Sequence, residues 1–248
     1  MFSLEGRTAL VTGTRTGIGR AIAVGLARAG ADIVLHGHRD DLAEVEAEVR
    51  KEGREAWRWT LDLSEPSRVP GEAEDLLARR QVDILVNNAG IIRRAPAAEH
   101  AYADWRAVLD VDLDAVFLLS QAVGRSMIAR GSGKIIMIAS MLSFQGGVNV
   151  AGYAAAKHAL AGLTRSLACE WAALNVQVNA IAPGYIATDN TGALREDPDR
   201  ERAIRQRIPA GRWGTPHDLV GASVFLASPA SDYVNGHVLA VDGGWLAR

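Results

Sequence analysis

Short apolar runs alternate along this chain with longer stretches whose apolar positions recur every three or four residues. The runs predict strands at residues 8–12, 33–37, 55–61, 84–87, 134–139, 176–181 and 238–241. The longer stretches predict helices over 17–29, 40–52, 66–80, 102–130, 152–174 and 217–227. Several strand cores, among them Ala9-Leu10-Val11, Ile84-Leu85-Val86 and Ile135-Ile136-Met137-Ile138, are apolar throughout rather than alternating. Strands of that kind have helices on both faces of their sheet.

Strands taking turns with helices predict an α/β protein with a parallel sheet. An eight-fold barrel of similar length would share the alternation. A glycine-rich turn directly after the first strand favours the open alternative, a single Rossmann-type doubly wound sheet of about seven strands, with ligands at the carboxyl ends of the strands. Nothing of low complexity divides the chain, so residues 1–248 are expected to form one nucleotide-binding domain, with a substrate-loop insertion around 186–212. A domain of this length buries roughly 70–75% of its unfolded surface, enough for a full core.

The formal charge of −2, from 27 basic and 29 acidic residues, makes no case for a nucleic-acid partner. Arg200, Arg202, Arg205 and Arg207 are interleaved with Asp197, Asp199 and Glu201, the pattern of a solvated helix. The one cysteine, Cys169, rules out an internal disulfide and reads as a buried structural thiol in a reducing compartment. Residues 1–7 carry no signal-peptide apolar region, and no uncharged run approaches the ~18 residues needed to span a bilayer. A cytoplasmic protein without a membrane partner is expected. His36, His38, His100, His158, His217 and His237 show no metal-ligand spacing, so no metal is expected and the histidines read as structural.

Chemistry enters with Tyr153 and Lys157, four residues apart among the helix-forming Ala154, Ala155, Ala156, Ala159 and Leu160. That spacing puts both on one helix face. A phenol keeps its proton to pH ~10 in water, and a neighbouring ammonium lowers that value. Such a phenol can exchange a proton with an alcohol or carbonyl. Thirteen residues before Tyr153 stands Ser140, at the end of a predicted strand. Thr12-Gly13-Thr14-Arg15-Thr16-Gly17-Ile18-Gly19 follows the first strand, and Asn87-Asn88-Ala89-Gly90 follows Ile84-Leu85-Val86.

In this order and spacing, through Pro183-Gly184 to Val241-Asp242-Gly243-Gly244, these elements resemble the short-chain dehydrogenase/reductase family over nearly the whole chain. Within it the chain is most similar to the sugar-acid branch of gluconate 5-dehydrogenase and 2-dehydro-3-deoxygluconate 5-dehydrogenase. Ile92-Arg93-Arg94, Ser140-Met141-Leu142-Ser143, Pro209-Ala210-Gly211-Arg212-Trp213-Gly214 and Asp232-Tyr233-Val234-Asn235-Gly236 carry that closer likeness. The resemblance implies an NAD(P)-dependent oxidoreductase that interconverts a secondary alcohol and a ketone on a sugar acid. Other readings left open are the same chemistry on a 3-oxoacyl thioester, a polyol or a steroid, and a nicotinamide-binding regulator without turnover.

The resemblance makes Tyr153 the general base, Ser140 the hydroxyl that stabilises the substrate oxygen, and Lys157 the partner of both Tyr153 and the nicotinamide ribose. Ser143 is the alternative hydroxyl. Many members have asparagine where this chain has Asp112, in Val111-Asp112-Leu113-Asp114, and there it helps hold a water near the lysine. A charged side chain at that point would alter the proton relay if the side chain, rather than the helix backbone, does the holding.

Gly13, Gly17 and Gly19, with Arg15, Thr16 and Ile18, would let a pyrophosphate approach the backbone at a helix N-terminus. The likeness adds Asp62 and Leu63 on the adenine side, Asn88, Ala89 and Gly90 toward the nicotinamide, and Pro183, Gly184, Ile186 and Thr188 beyond it. Asn87 would hold neighbouring strands together. At the end of the second strand an acidic residue would favour NAD; here Gly37-His38-Arg39 stands instead, with Arg15 nearby, so NADP is the expected cofactor and NAD a possible one. Asp40 and Asp41 would cap the next helix. Arg93 or Arg94 would bind the substrate carboxylate, with Gln145, Asn149 and Tyr185 as hydroxyl partners. The long helices over 102–130 and 152–174, which the family pairs across a two-fold axis, and Trp245-Leu246 at a second interface, predict a homotetramer.

Overall fold

The computed structural model describes all 248 residues. Seven strands form one parallel sheet: β1 (Thr8–Val11), β2 (Asp32–Gly37), β3 (Ala56–Thr60), β4 (Ile84–Asn87), β5 (Gly133–Ile138), β6 (Val176–Pro183) and β7 (Val238–Val241). Their spatial order is β3-β2-β1-β4-β5-β6-β7, so the chain reverses direction across the sheet between β1 and β4. Val11 pairs with Leu35 on one side and Val86 on the other, which brings the three carboxyl ends to one level. The connections after β1 and β4 diverge there and open a crevice.

Alternate strand residues feed two cores. Leu10, Leu85, Ile135 and Val178 face α3 (Val69–Arg79), α5 (Ala115–Arg130) and α6 (Ala151–Trp171). Ala9, Val11, Ile33, Val86 and Ile136 face α1 (Gly17–Arg28), α2 (Ala43–Lys51) and α9 (Val220–Ala227). The expected doubly wound sheet is therefore present, and each strand lies within two residues of its expected span.

The differences lie in the helices. The stretch 102–130 is not one α-helix: α4 (Tyr102–Leu109) and α5 are joined by a π-helical turn, Asp110–Asp114. The segment around 186–212 is not a loop but carries α7 (Gly192–Glu196) and α8 (Pro198–Arg207). Asp197 caps α8 by accepting from Asp199 N–H at 3.0 Å and Arg200 N–H at 3.1 Å. Ile204 is the only buried residue of α8, so its solvated character is as the charge pattern predicts.

Neither Asp40 nor Asp41 caps α2. Asp40 binds Arg58 at 3.0 Å, Asp41 lies 3.5 Å from Arg15, and the N-cap position falls on Leu42 without a side-chain bond. Cys169 is exposed on the outer face of α6 rather than buried. Trp245, expected at a subunit interface, is only 4% exposed within the chain itself. It packs on Met141, Ile204 and Ile208, with the Arg207 guanidinium 3.9 Å over its ring. No helix is long and apolar enough to cross a membrane, and no group of three His, Cys, Asp or Glu side chains is arranged to hold a metal ion.

Candidate active site

A cleft of about 540 Å³ lies along the carboxyl ends of the strands. At one end the turn after β1 is fixed from several directions. Thr12 Oγ1 accepts from Asn88 N–H and Ala89 N–H, both at 2.9 Å. The Asn88 side-chain amide donates to the carbonyls of Thr12 at 2.8 Å and Gly13 at 3.2 Å. Asn88 lines the cleft, and its amide also ties β4 to the β1 turn. Asn87 donates to Met137 Sδ on the neighbouring strand β5 at 3.3 Å, as expected, and to Ser120 Oγ at 2.9 Å, which also fastens β4 to α5.

Gly13 has φ +70°, a left-handed conformation natural to glycine. A Cβ on Gly19 would stand 2.1 Å from the Gly13 carbonyl oxygen and 2.4 Å from Asn88 Nδ2, so the start of α1 packs on the turn only because residue 19 has no side chain. Thr16 makes no side-chain cap, leaving the first amides of α1 at Gly17, Ile18 and Gly19 open to an anion in the cleft. Glycines at 13, 17 and 19, an uncapped helix start and a cleft of this size fit a dinucleotide pyrophosphate.

His36, Leu61, Asp62 and Leu63 line the cleft beyond the glycine turn. Asp62 accepts from Ser64 N–H at 2.9 Å, and that bond holds its carboxyl below the usual range. At the end of β2 the lining residues are Gly37, His38, Asp41 and Arg15. Arg39 lies outside the lining, exposed, so the guanidinium at this point is that of Arg15, held 3.5 Å from Asp41.

At the other end stand Ser140, Tyr153 and Lys157, together in the cleft as expected. Ser140 Oγ accepts from Leu142 N–H at 3.1 Å, which leaves its own proton free to be donated. Ser143 Oγ donates to the Lys157 carbonyl at 2.6 Å, away from the cleft, which removes it as the alternative hydroxyl. Lys157, 4% exposed, donates from Nζ to the Ile138 carbonyl at 3.0 Å and lies 5.3 Å from the centre of the Tyr153 ring.

Asp112 is fully buried. Its Oδ1 accepts from Ile91 N–H at 2.8 Å, and its Oδ2 lies 3.4 Å from Lys157 Nζ without another partner. The side chain, not only the helix backbone, therefore meets the lysine. Burial pushes the Asp112 carboxyl above the usual range against the pull of Lys157. Burial would also lower Lys157, but attraction to Asp112 and Tyr153 outweighs it and holds the ammonium above its ordinary value.

Pro183, Gly184, Ile186 and Thr188 line the wall from β6 onward, as expected, and Ala89 and Gly90 line the opposite side. Of the expected substrate residues outside the reacting group, only Arg93 lines the cleft, 3.5 Å from Asp104. Arg94 donates to the Asn190 carbonyl at 3.3 Å. Gln145 accepts from Trp245 Nε1–H at 3.2 Å, and the Asn149 carbonyl accepts from Ala95 N–H at 3.1 Å. Tyr185 stacks edge-on against Trp213 and Trp245. These four support the wall without lining it.

Sequence reading missed His36, Asp189, Asn190 and Thr191. The first carried a signal: a polar side chain in an otherwise apolar buried strand must have bonding partners. The other three carried none.

A family model described as enoyl-(acyl carrier protein) reductase matches residues 13–246. The chain is 58% identical over 247 residues to 2-dehydro-3-deoxy-D-gluconate 5-dehydrogenase of Bacillus subtilis (strain 168), covering 100% of this chain and 97% of that protein. A Beutenbergia cavernae structure, assigned provisionally as an NAD(P)-dependent gluconate 5-dehydrogenase with NADP bound at low occupancy, superimposes with a TM-score of 0.98 at 59% identity, over 100% of this chain and 99% of that one. The gluconate 5-dehydrogenase of Burkholderia cenocepacia J2315, in complex with NADP and tartrate, gives a TM-score of 0.96 at 45% identity, over 100% and 98% of the two chains. Likeness of this extent, in sequence and in backbone alike, makes the chain a member of the short-chain dehydrogenase/reductase family of oxidoreductases.

Proposed function

We propose that this protein is an NADP-dependent oxidoreductase interconverting a secondary alcohol and a ketone on a sugar acid. The observation that carries the reading is one cleft holding Ser140, Tyr153 and Lys157 at one end and a glycine-rich turn with Arg15 at the other. The names of its relatives, dehydrogenases of gluconate-type acids, and the NADP held by the similar structures support it.

The amides of Gly17, Ile18 and Gly19 would hold the pyrophosphate, Arg15 and His38 the 2′-phosphate, and Lys157 the nicotinamide ribose. When bound, the nicotinamide supplies the site with a hydride donor or acceptor. Ser140 donates its proton to the substrate oxygen and fixes that oxygen beside Tyr153. In oxidation Tyr153 removes the hydroxyl proton; in reduction it returns one. The Lys157 ammonium stabilises negative charge on the phenol oxygen, and Asp112 and the Ile138 carbonyl hold that ammonium in place. Arg93 is the partner for the substrate carboxylate: its link to Asp104 is half-exposed, and such a pair is worth at most about 1 kcal/mol, so exchange for a substrate anion costs little.

The protein is a cytoplasmic homotetramer in this reading, and Phe117 on α5, 40% exposed, supports pairing of that helix across a two-fold axis. Sedimentation as a monomer at micromolar concentration would overturn that assembly. The activity is tested by following cofactor absorbance with gluconate-type acids, uncharged polyols and 3-oxoacyl thioesters, each with NADP and NAD. Turnover of a sugar acid with NADP is expected; turnover of thioesters alone would overturn the substrate reading.

A further inference from the structure

We propose that His36 is a positioning residue of the cofactor cradle, an imidazole whose Nδ1 fixes the Gly13 amide of the turn after β1 while its Nε2 rests on the adenine-side turn after β3. The inference rests on the cofactor reading above. His36 is 2% exposed and stands between backbone groups of two different turns. Gly13 N–H donates to its Nδ1 at 3.2 Å. A neutral imidazole then carries its only proton on Nε2, and that proton is donated to the Leu61 carbonyl at 3.0 Å. The backbone of the same residue adds to this hold: its carbonyl accepts from Thr14 N–H at 2.9 Å and from Thr14 Oγ1–H at 3.1 Å.

The hold on Gly13 acts where the cradle has least tolerance. Gly13 is the residue whose carbonyl bounds the space for Gly19 and accepts from Asn88. Its left-handed backbone is held on the carbonyl side by Asn88 and on the amide side by His36 alone. Without the imidazole, a part-buried N–H loses its partner and the turn can rotate out of the shape that admits a pyrophosphate.

The role requires a neutral ring, because a proton on Nδ1 would face the Gly13 N–H. Burial favours the neutral form and lowers the ring to about 4; the Leu61 carbonyl opposes this, His38 reinforces it and Asp62 opposes it. The Trp59 ring, 5.1 Å away between centres, closes the remaining side.

Two amide replacements separate this role from ordinary core packing. In His36→Asn the side-chain oxygen can take the place of Nδ1, and in His36→Gln the amide nitrogen can take the place of Nε2. NADPH affinity is measured by fluorescence titration at neutral pH, with thermal unfolding of the same samples, and KM for NADP is measured beside kcat. His36→Asn should bind within about threefold of wild type, while His36→Gln and His36→Leu should lose about tenfold or more, a single hydrogen bond's worth. KM should rise with kcat little changed at saturating cofactor, whatever the order of the melting temperatures. Equal loss of affinity in the Asn and Gln variants, or no loss in either, would overturn the proposal. If His36→Leu does not fold, the Asn and Gln pair decides. A wild-type protein that fails to bind NADPH would overturn the cofactor reading itself, and the His36 proposal with it.

Discussion

At the cofactor end of the cleft, Thr12, Gly13, His36 and Asn88 direct their hydrogen bonds at one another in part-buried positions. At the substrate end, Arg93 and Arg94 reach only an aspartate and a carbonyl at the surface. The framework of the first end is bonded before any ligand arrives, so filling its open helix amides needs no rearrangement of that framework. The second holds its charges in weak, half-wet contacts that a ligand can replace. A cradle for an invariant cofactor gains from rigidity, whereas a site that must recognise one acid among many gains from groups that can be re-paired.

The sharpest break would come where the two ends meet. Tyr153→Phe should reduce kcat by a factor of about 10³, within the span attributed to proton transfer, and leave NADPH binding near wild type. Lys157→Ala should damage both. Equal and complete loss of cofactor binding in the two variants would contradict the division of roles. Next in size, Gly19→Ala should weaken NADPH by about a hundredfold, because its Cβ would overlap the Gly13 carbonyl oxygen, and packing strain of this kind costs about 1–3 kcal/mol. Near-normal affinity in that variant would show that the cradle is less rigid than its contacts imply.

Arg93→Ala probes the other end. It should lower kcat/KM for a sugar acid about tenfold and barely affect the uncharged sugar analogue. Arg94→Ala should affect both substrates alike, through the Asn190 contact. Matching losses for Arg93→Ala on acid and analogue would sink its role as carboxylate partner. Asp112→Asn removes the attraction that keeps Lys157 above its ordinary range, so burial then lowers the ammonium. The alkaline limb of the pH profile should move to lower pH, with neutral-pH turnover reduced only a few-fold; an unmoved limb would mean that the pair is not felt in the reaction. The smallest contrast separates two arginines. Arg15→Ala should raise the KM for NADP several-fold, whereas Arg39→Ala, lying outside the lining, should change it less than about twofold.

The cofactor end was also the more legible in sequence. A glycine turn between an apolar strand and a helix has few structural solutions, and Gly13, Gly17 and Gly19 stand where that pattern puts them. Tyr153, Lys157 and Ser140 were legible because helix spacing and strand ends fix their directions locally. Roles that depend on which neighbour a side chain finds across the fold were not. Asn87 and Asn88 are identical in type and adjacent, and only the position of the β1 turn decides which one binds it. Arg39 follows His38 in sequence but does not line the cleft. The aromatic surface of Trp245, read as an interface, is covered by Ile204 and Ile208, which reach it from the segment expected to be a loop. Charge composition alone could not reveal that Pro198–Arg207 has a buried anchor on one side.

The turn at Asp110–Asp114 has a consequence beyond the carboxylate it buries. One extra residue in a helical turn rotates everything after it by about 100° relative to everything before. α4 packs against α6, and α5 packs against α3, so the two parts of the rod serve different neighbours. The turn is a phase shifter between them: it lets Val108 face the helix of Tyr153 while Leu119 and Val123 face the sheet core. Excising one residue there would leave the rod in a single phase. Either Val108 or the Leu119 stripe would then turn toward water, and Asp112 would swing off the axis of Lys157.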